Sequence, residues 1–263
     1  MLIIGEKLNS SIPKTLTAMR EGDEEALRSL IRAQEAGGAA YLDVNTALLE
    51  EEELPALRRL AALIRRESAC GLMLDSPNPA VLAAALPEAG DRPVMVNSVS
   101  LDARYDALLP RIREAGAAVV CLPLRDGAVP ADAAGRVENA VRLADKLTAA
   151  GIPADALYID VLAEAVATAE NGAVTALDTI RGVKAALPEV KTVCGLSNIS
   201  FGLPRRIHLN AAFLSMALAA GLDAAILDPS SQAMRTALLA SEALLGRDEF
   251  CLSYIAGMRA LMA

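Results

Sequence analysis

Short apolar runs alternate with longer amphipathic runs along the whole chain, and this alternation constrains its fold more than any other feature. The short runs are almost continuously hydrophobic, as in parallel strands that are buried on both faces. We predict eight strands, over residues 2–8, 40–45, 71–75, 94–98, 118–122, 157–162, 192–196 and 224–228.

The runs between the strands predict helices, because their apolar residues recur at helical spacing and a glycine follows several of them. Eight strands that alternate with helices, without a linker or a shift in composition, predict a single (β/α)8 TIM barrel, an α/β fold, over residues 1–263. A doubly wound open sheet is the alternative, but no G-x-G-x-x-G motif follows the first strand. Residues 249–263 predict a packed helical tail with Leu252, Ile255, Met258 and Leu261 on one side.

The chain is acidic, with a net charge of −8. This charge, together with the lack of a dense lysine or arginine run, disfavours a nucleic-acid partner. No uncharged apolar run approaches the length of a membrane-spanning helix, so we expect no membrane association. The first apolar run meets charge at Glu6, too early for a secretory signal, and we expect a cytoplasmic protein.

The four cysteines, Cys70, Cys121, Cys194 and Cys251, lie far apart and form no C-x-x-C pair. They are expected to be small buried thiols in a reducing compartment. The sole histidine, His208, has no cysteine or histidine at ligand spacing, and we place it in a loop. We therefore predict no metal site.

Carboxylates or carboxamides stand at the ends of seven of the eight predicted strands. In a barrel of this type the active site lies at the carboxyl ends of the strands. Asp75, Asn97 and Asp160 can hydrogen-bond a flat heterocycle with an amino-pyrimidinone edge, because carboxylates accept and carboxamides both donate and accept. The serines lack a nearby histidine, and no glycine-rich loop suggests a phosphate site. The polar residues at the strand ends are suited to binding and polarising a substrate.

The order of these motifs resembles the pterin-binding barrels, and within them the methyltetrahydrofolate:corrinoid-protein methyltransferases. The resemblance covers nearly the whole chain. The matching motifs are IGEKLN at 4–9, LDVN at 42–45, LDS at 74–76, NS at 97–98, YID at 158–160 and GLSNIS at 195–200.

The resemblance implies that Asp75, Asn97 and Asp160 hydrogen-bond the pterin, and that Asn198 is catalytic and reaches N5, the nitrogen that holds the methyl group. It also implies direct displacement of the methyl group between N5 of methyltetrahydrofolate and the cobalt of a corrinoid (cobalamin). No Asp-x-His-x-x-Gly cobalamin signature is present, so we expect the corrinoid protein to be a separate chain. The family is typically homodimeric, and the direction of transfer stays open. The helical tail is expected to contribute to an interface or to seal the amino end of the barrel.

Further binding residues are implied by the resemblance. Leu124 occupies a position that resembles a pterin-stacking site, and a proline commonly stands where this chain has Val161. On the second strand we favour Asn45 over Asp43 as the pocket-facing residue. The other implied residues are Glu6, Gly195, Ser197 and Arg206. Arg205 could take the role of Arg206.

Some strand-end residues have a structural alternative. Glu6 is as well suited to brace the barrel mouth through a neighbouring Lys or Arg as to touch a ligand. Asp228 is as well suited to cap the last helix, with Ser230 or Ser231, as to line the site.

Two other functions fit parts of the pattern. Dihydropteroate synthases share the barrel, but they have a Ser-Arg-Lys sequence on the seventh strand where this chain has Ser197, Asn198 and Ile199. Pyrophosphate needs cations near the pocket, so the synthase is disfavoured. A non-catalytic folate-binding protein stays open, and Asn198 is the residue that discriminates it from an enzyme.

Overall fold

Eight parallel strands pair in sequence order and close into a barrel in the computed structural model, which describes residues 1–262. The strands are β1 Leu2–Asn9, β2 Tyr41–Asn45, β3 Gly71–Asp75, β4 Val94–Val99, β5 Ala118–Cys121, β6 Leu157–Asp160, β7 Lys191–Gly195 and β8 Ala224–Leu227. The helices are α1 Pro13–Glu21, α2 Glu24–Ala36, α3 Glu53–Glu67, α4 Pro79–Ala85, α5 Leu109–Glu114, α6 Ala133–Ala149, α7 Gly172–Ala186, α8 Arg206–Ala220, α9 Gln232–Leu244 and α10 Leu252–Met262.

The predicted (β/α)8 barrel is confirmed, and the open sheet is wrong. Each predicted strand forms, and its ends differ from the prediction by no more than two residues. The outer faces of the strands and the inner faces of the helices form two large apolar cores. Burial on both faces explains why the strand sequences are almost continuously hydrophobic.

A third apolar cluster fills the inside of the barrel, and we call this space the lumen. Every strand contributes to it, which identifies the inward face of each strand. The contributing residues are Ile4, Tyr41, Met73, Met95, Val120, Tyr158, Val193 and Ala224. Because side chains alternate across a strand, the residues two positions further along point inward as well, towards the carboxyl end of the barrel. We call that end the mouth.

After β7 the sequence has no helix signal until about Asn210, which predicts that the next helix begins there, but the structure differs. A 3-10 turn occupies Leu196–Ser200, and α8 already begins at Arg206. The buried side chain of Asn210 accepts a hydrogen bond of 2.6 Å from Ser200, which draws the start of the helix towards the turn. His208 therefore lies in α8, on an exposed position, and its placement in a loop was wrong.

The C-terminal tail is helical as predicted, but its apolar side is only partly packed. Leu252 and Ile255 expose 64% and 42% of their surface, although α10 contacts α9. Cys251 is exposed in the turn before α10, so burial holds for three of the four cysteines. None of the helices within residues 1–262 combines the length and the apolar character that crossing a membrane requires.

Candidate active site

Three of the predicted binding residues lie on the lumen side of their strands at the mouth. Asp75, Asn97 and Asp160 each follow a lumen residue by two positions and are half-buried. Asp75 and Asn97 are paired in the register of β3 and β4. The strand alternation therefore brings together side chains that are far apart in the sequence.

A β-bulge in β1 turns two consecutive side chains towards the mouth. Gly5 pairs with Leu42 and Leu8 with Val44, so β1 has one residue more than β2 over this step. The backbone N–H of Lys7 donates 2.8 Å to Oε1 of the buried Gln34 side chain from α2. A Cβ at Gly5 would collide with that side chain, so the bulge needs glycine there.

The two residues in the bulge contact different strand ends. Glu6 accepts a hydrogen bond of 3.0 Å from the hydroxyl of Ser197 after β7. Lys7 forms a salt bridge of 3.0 Å with Asp228 after β8. Asp228 also accepts from Ser230, so it stabilises the turn after β8 and does not cap α9. Burial raises the pKa of Glu6, and the hydrogen bond from Ser197 opposes this rise.

On β2 both Asp43 and Asn45 face the lumen, because both share the face of Tyr41. Asn45 donates 2.9 Å to Oδ2 of Asp75, so it orients that carboxylate as well as facing the mouth. The prediction that only Asn45 faces the pocket missed Asp43, although the two-residue alternation along the strand was sufficient to place both on the same face. Asp43 is 2% exposed, and burial, then the charges of Asp75 and Glu6, raise its pKa well above the ordinary value.

The carboxyl groups of Asp75 and Asp160 are also perturbed. Burial raises the pKa of each to about 6, although Asn45 donates to Asp75 and the backbone N–H of Leu162 donates 2.8 Å to Asp160. Nearby Arg136 opposes the rise at Asp160. At neutral pH both groups are mostly ionised, so each can accept hydrogen bonds from a substrate.

Arg136 on α6 is fully buried behind Asp160 and links two loops at the mouth. Its guanidinium donates to the carbonyl oxygens of Val161 and Leu162 after β6, and to that of Pro130 after β5. It also pairs with Glu164. No motif in the sequence indicates this role, since the arginine is distant in sequence from all its partners except Pro130.

Replacing Arg136 with methionine is expected to lower the free energy of unfolding by about 3 kcal/mol, because carbonyl oxygens and Glu164 lose their partner. Thermal and urea denaturation measure this change. The matched control is Arg142→Met on the exposed side of the same helix, which should change stability by less than about 0.5 kcal/mol. Similar losses in both variants would contradict the structural role of Arg136.

The segment Leu196–Ser200 holds Asn198 on the rim of the mouth, where its side chain is exposed. A Cβ on Gly195 would lie 3.0 Å from the amide nitrogen of Asn198, so glycine lets this side chain fold over the end of β7. Arg206 fixes the segment by donating 2.6 Å to the carbonyl of Ser197 and 3.1 Å to the hydroxyl of Ser200. Arg206 thus braces the segment that holds Asn198.

Two of the residues implied by the resemblance, Leu124 and Arg205, lie in loops beyond the strand ends. Leu124 is half-buried in the loop after β5, three positions beyond the last residue of the strand. Leu122, two positions after the lumen residue Val120, continues the inward face of β5. Arg205, the alternative to Arg206, has a left-handed backbone conformation just before α8.

Comparison with known families agrees with this arrangement. The family model described as "Pterin binding enzyme" matches residues 5–228. The chain belongs to the pterin-binding enzyme family. The match begins in β1 and ends at Asp228, so it spans all eight strand ends of the mouth.

Two relatives in sequence are informative about this pterin-binding enzyme. A methylcorrinoid:tetrahydrofolate methyltransferase of Eubacterium limosum is 33% identical over 262 residues, which cover 98% of this chain and 96% of that protein. A methionine synthase of Mycobacterium tuberculosis is 32% identical over 244 residues, covering 88% of this chain but only 20% of that protein.

Solved structures of lower identity share the barrel. A dihydropteroate synthase of Yersinia pestis with a bound pterine-sulfa conjugate has a TM-score of 0.69 at 17% identity, covering 93% of this chain and 94% of that one. The dihydropteroate synthase of Thermus thermophilus has a TM-score of 0.67 at 20% identity, covering 92% of this chain and 94% of that one. At these identities the likeness concerns the fold alone.

Proposed function

We propose that this pterin-binding enzyme moves a methyl group between N5 of methyltetrahydrofolate and the cobalt of a corrinoid on a separate protein. The observation that carries the proposal is the similarity, along almost the whole chain, to the methyltransferase of E. limosum. The name of that relative gives tetrahydrofolate as the methyl acceptor. We propose that the site supports transfer in either direction, because one transition state serves both.

The pterin is proposed to bind through its amino-pyrimidinone edge to Asp75, Asn97 and Asp160. Asp75 and Asp160 each keep an oxygen without a partner among the hydrogen bonds of residues 1–262, since Asn45 and Leu162 occupy the other one. The amide of Asn97 likewise has no partner there and can donate and accept. This set suits a ring edge that presents N–H donors beside a carbonyl oxygen.

Asn198 is proposed to hydrogen-bond N5. An amine is a poor leaving group, so N5 must gain a hydrogen bond or a proton as its bond to the methyl carbon breaks. An amide that donates more strongly to N5 in the transition state than in the ground state speeds the transfer. Arg206 and Gly195 support this role, because both determine where the Asn198 side chain lies.

Gly195→Ala tests the dependence on Gly195. Alanine is compatible with the φ of −70° at this position, and the amide of Asn198 can move away from the new methyl group. We therefore expect an unchanged melting temperature and methyl transfer that is about 10-fold slower, because the hydrogen bond to N5 is weakened. Thermal denaturation and the transfer assay measure the two effects; transfer at the wild-type rate would contradict the proposed contact.

A synthase is the less favoured function. The solved synthases share only the fold with this chain, and the end of β7 offers a hydroxyl and an amide at Ser197 and Asn198. The nearest arginine, Arg206, is committed to Ser197 and Ser200. These contacts do not favour a pyrophosphate leaving group, which needs free cations.

A visible-absorption assay tests the proposed function. Purified protein with methyltetrahydrofolate and cob(I)alamin should produce the spectrum of methylcobalamin, and methylcobalamin with tetrahydrofolate should show the reverse change. The same assay with candidate corrinoid proteins identifies the physiological partner. Folate binding without a spectral change in either direction, with free cobalamin and with corrinoid proteins, would indicate a non-catalytic folate-binding protein.

We further propose a homodimer in the cytoplasm. Leu244, Phe250 and Leu252 expose 87%, 83% and 64% of their surface near the C-terminal tail, and a second copy could cover them. The four free cysteines fit a reducing compartment. Light scattering of the wild type and of Phe250→Asp tests the dimer: a monomeric wild type, or a variant that stays dimeric, would contradict this interface.

A further inference from the structure

The floor of the mouth contains a buried carboxyl group that the proposed function does not use. Asp43 is paired with Met73 in the register, one inward step below Asp75. It is 2% exposed, and its Oδ1 has no hydrogen-bond partner among residues 1–262. An ionised carboxylate with an unpaired oxygen is costly to bury, whereas a neutral carboxylic acid is far less so.

Asp43 lies between two other carboxyl groups, Glu6 and Asp75, and we call these three residues the carboxyl cluster. The negative charges of Glu6 and Asp75 both favour a proton on Asp43, and Glu53 acts in the same sense on Asp75. A hydrogen bond from Asn9 opposes the effect at Asp43.

No cation neutralises the carboxyl cluster within residues 1–262. Lys7 is paired with Asp228, and none of the three carboxyl groups forms a salt bridge. Arg206 donates to Ser197 and Ser200. Lys7 and Arg206 lower the pKa of Glu6 only through their charges. The three groups also do not form a metal-binding set in the part of the chain that the structure describes. A proton is the remaining charge that can compensate them.

The carboxyl cluster reaches the proposed methyl-transfer site through Glu6. Its Oε1 is 3.0 Å from the hydroxyl of Ser197, and Ser197 immediately precedes Asn198. The register places Glu6 beside Asp43, because Gly5 pairs with Leu42 and Leu8 with Val44. Asp43, Glu6 and Ser197 therefore follow one another from the floor to the rim of the mouth.

We infer that Asp43 stores a proton at neutral pH, and that Glu6 and the hydroxyl of Ser197 exchange this proton with N5 of the folate during methyl transfer. The inference rests on the proposed function and supplies the proton that N5 needs. Asn198 cannot supply it, because an amide is not a general acid at neutral pH.

The step balances in both directions. When methyltetrahydrofolate is the donor, the bond between N5 and the methyl carbon breaks, its electron pair stays on N5, and the acceptor supplies the pair of the new bond. Ser197 gives its proton to N5 and takes one from Glu6, which takes one from Asp43; solvent later restores the proton of Asp43. When tetrahydrofolate is the acceptor, the same groups remove the proton of N5 in the reverse order.

Infrared difference spectroscopy of the unliganded protein tests the stored proton. At pH 8 Asp75 and Asp160, with a pKa of about 6, are almost fully ionised. The wild type should still show the carbonyl stretch of a protonated carboxylic acid, and Asp43→Asn should lose it. Asp228→Asn is the matched control, because hydrogen bonds from Ser230 and Lys7 outweigh burial and lower the pKa of Asp228. Absence of the band in the wild type, or its persistence in Asp43→Asn, would overturn the inference.

The rate of single-turnover methyl transfer, measured as a function of pH, tests the delivery of the proton to N5. Glu6→Gln and Ser197→Ala should each slow transfer by about 100-fold and flatten its pH dependence, because general acid–base catalysis contributes on this scale. Folate affinity should change by only a few-fold. Wild-type rates and pH profiles in both variants would overturn delivery through Glu6. The two hypotheses separate, since a wild type that shows the infrared band but transfers no methyl group would overturn the proposed function and, with it, delivery to N5.

Discussion

Asn198→Ala is expected to slow methyl transfer by about 100- to 1,000-fold while folate affinity changes by less than about 10-fold. The expectation follows from the exposed position of the amide on the rim of the mouth, where N5 is its proposed partner. Removing one donor that stabilises developing charge in the transition state costs on this scale. In the proposed binding mode Asp75, Asn97 and Asp160 still hold the pterin edge, so we expect binding to be largely retained.

Stopped-flow absorption measures the transfer rate, and equilibrium fluorescence or calorimetry measures folate affinity. Asn171→Ala is a suitable control, since Asn171 is an exposed amide at the start of α7 without a side-chain hydrogen bond. An equal loss of affinity and of rate in Asn198→Ala would show that Asn198 serves binding and not the transition state.

Asp75→Asn is expected to make the protein more stable above pH 6 and to weaken folate binding by about 100-fold. The pKa of Asp75 is about 6 in the folded protein, against about 3.9 in an unfolded chain. Because the folded value is the higher one, ionisation penalises the folded state. The penalty is absent below about pH 4, grows between pH 4 and 6, and is complete above.

Asparagine removes this penalty, so the stability gain should be about 1–3 kcal/mol at pH 8 and close to zero at pH 4. Its amide oxygen can still accept from Asn45, but an N–H donor would then face the donors of the pterin, which explains the loss of binding. Urea denaturation at both pH values measures the gain. Asp228→Asn should show the opposite sign at pH 8, since the pKa of Asp228 is lowered; a gain there too would contradict the electrostatic explanation.

The barrel was predictable from the sequence because both faces of its strands are buried, which leaves short, almost continuous apolar runs that alternate with helical patterns. The lumen residues and the polar residues two positions beyond them follow from the same alternation, as Asp43 illustrates. The β1 bulge was not predictable, because it depends on Gln34, which is 27 residues away from Lys7 on a different element.

The regions that differed from the prediction are those where contacts distant in sequence decide the conformation. The start of α8 depends on the contact between Ser200 and Asn210, and no local signal at Arg206 indicates it. The tail has helical periodicity, but periodicity does not determine whether a surface exists to cover Leu252 and Ile255.

The buried guanidinium of Arg136 has a consequence for redesign of this barrel. Loops at the mouth of a (β/α)8 barrel are often treated as independent units that can be exchanged without changing the scaffold. Here the loop after β5 and the loop after β6 share one donor group on α6. Grafting either loop alone would therefore disturb the other, and the two loops and the first turn of α6 must be transplanted as one module.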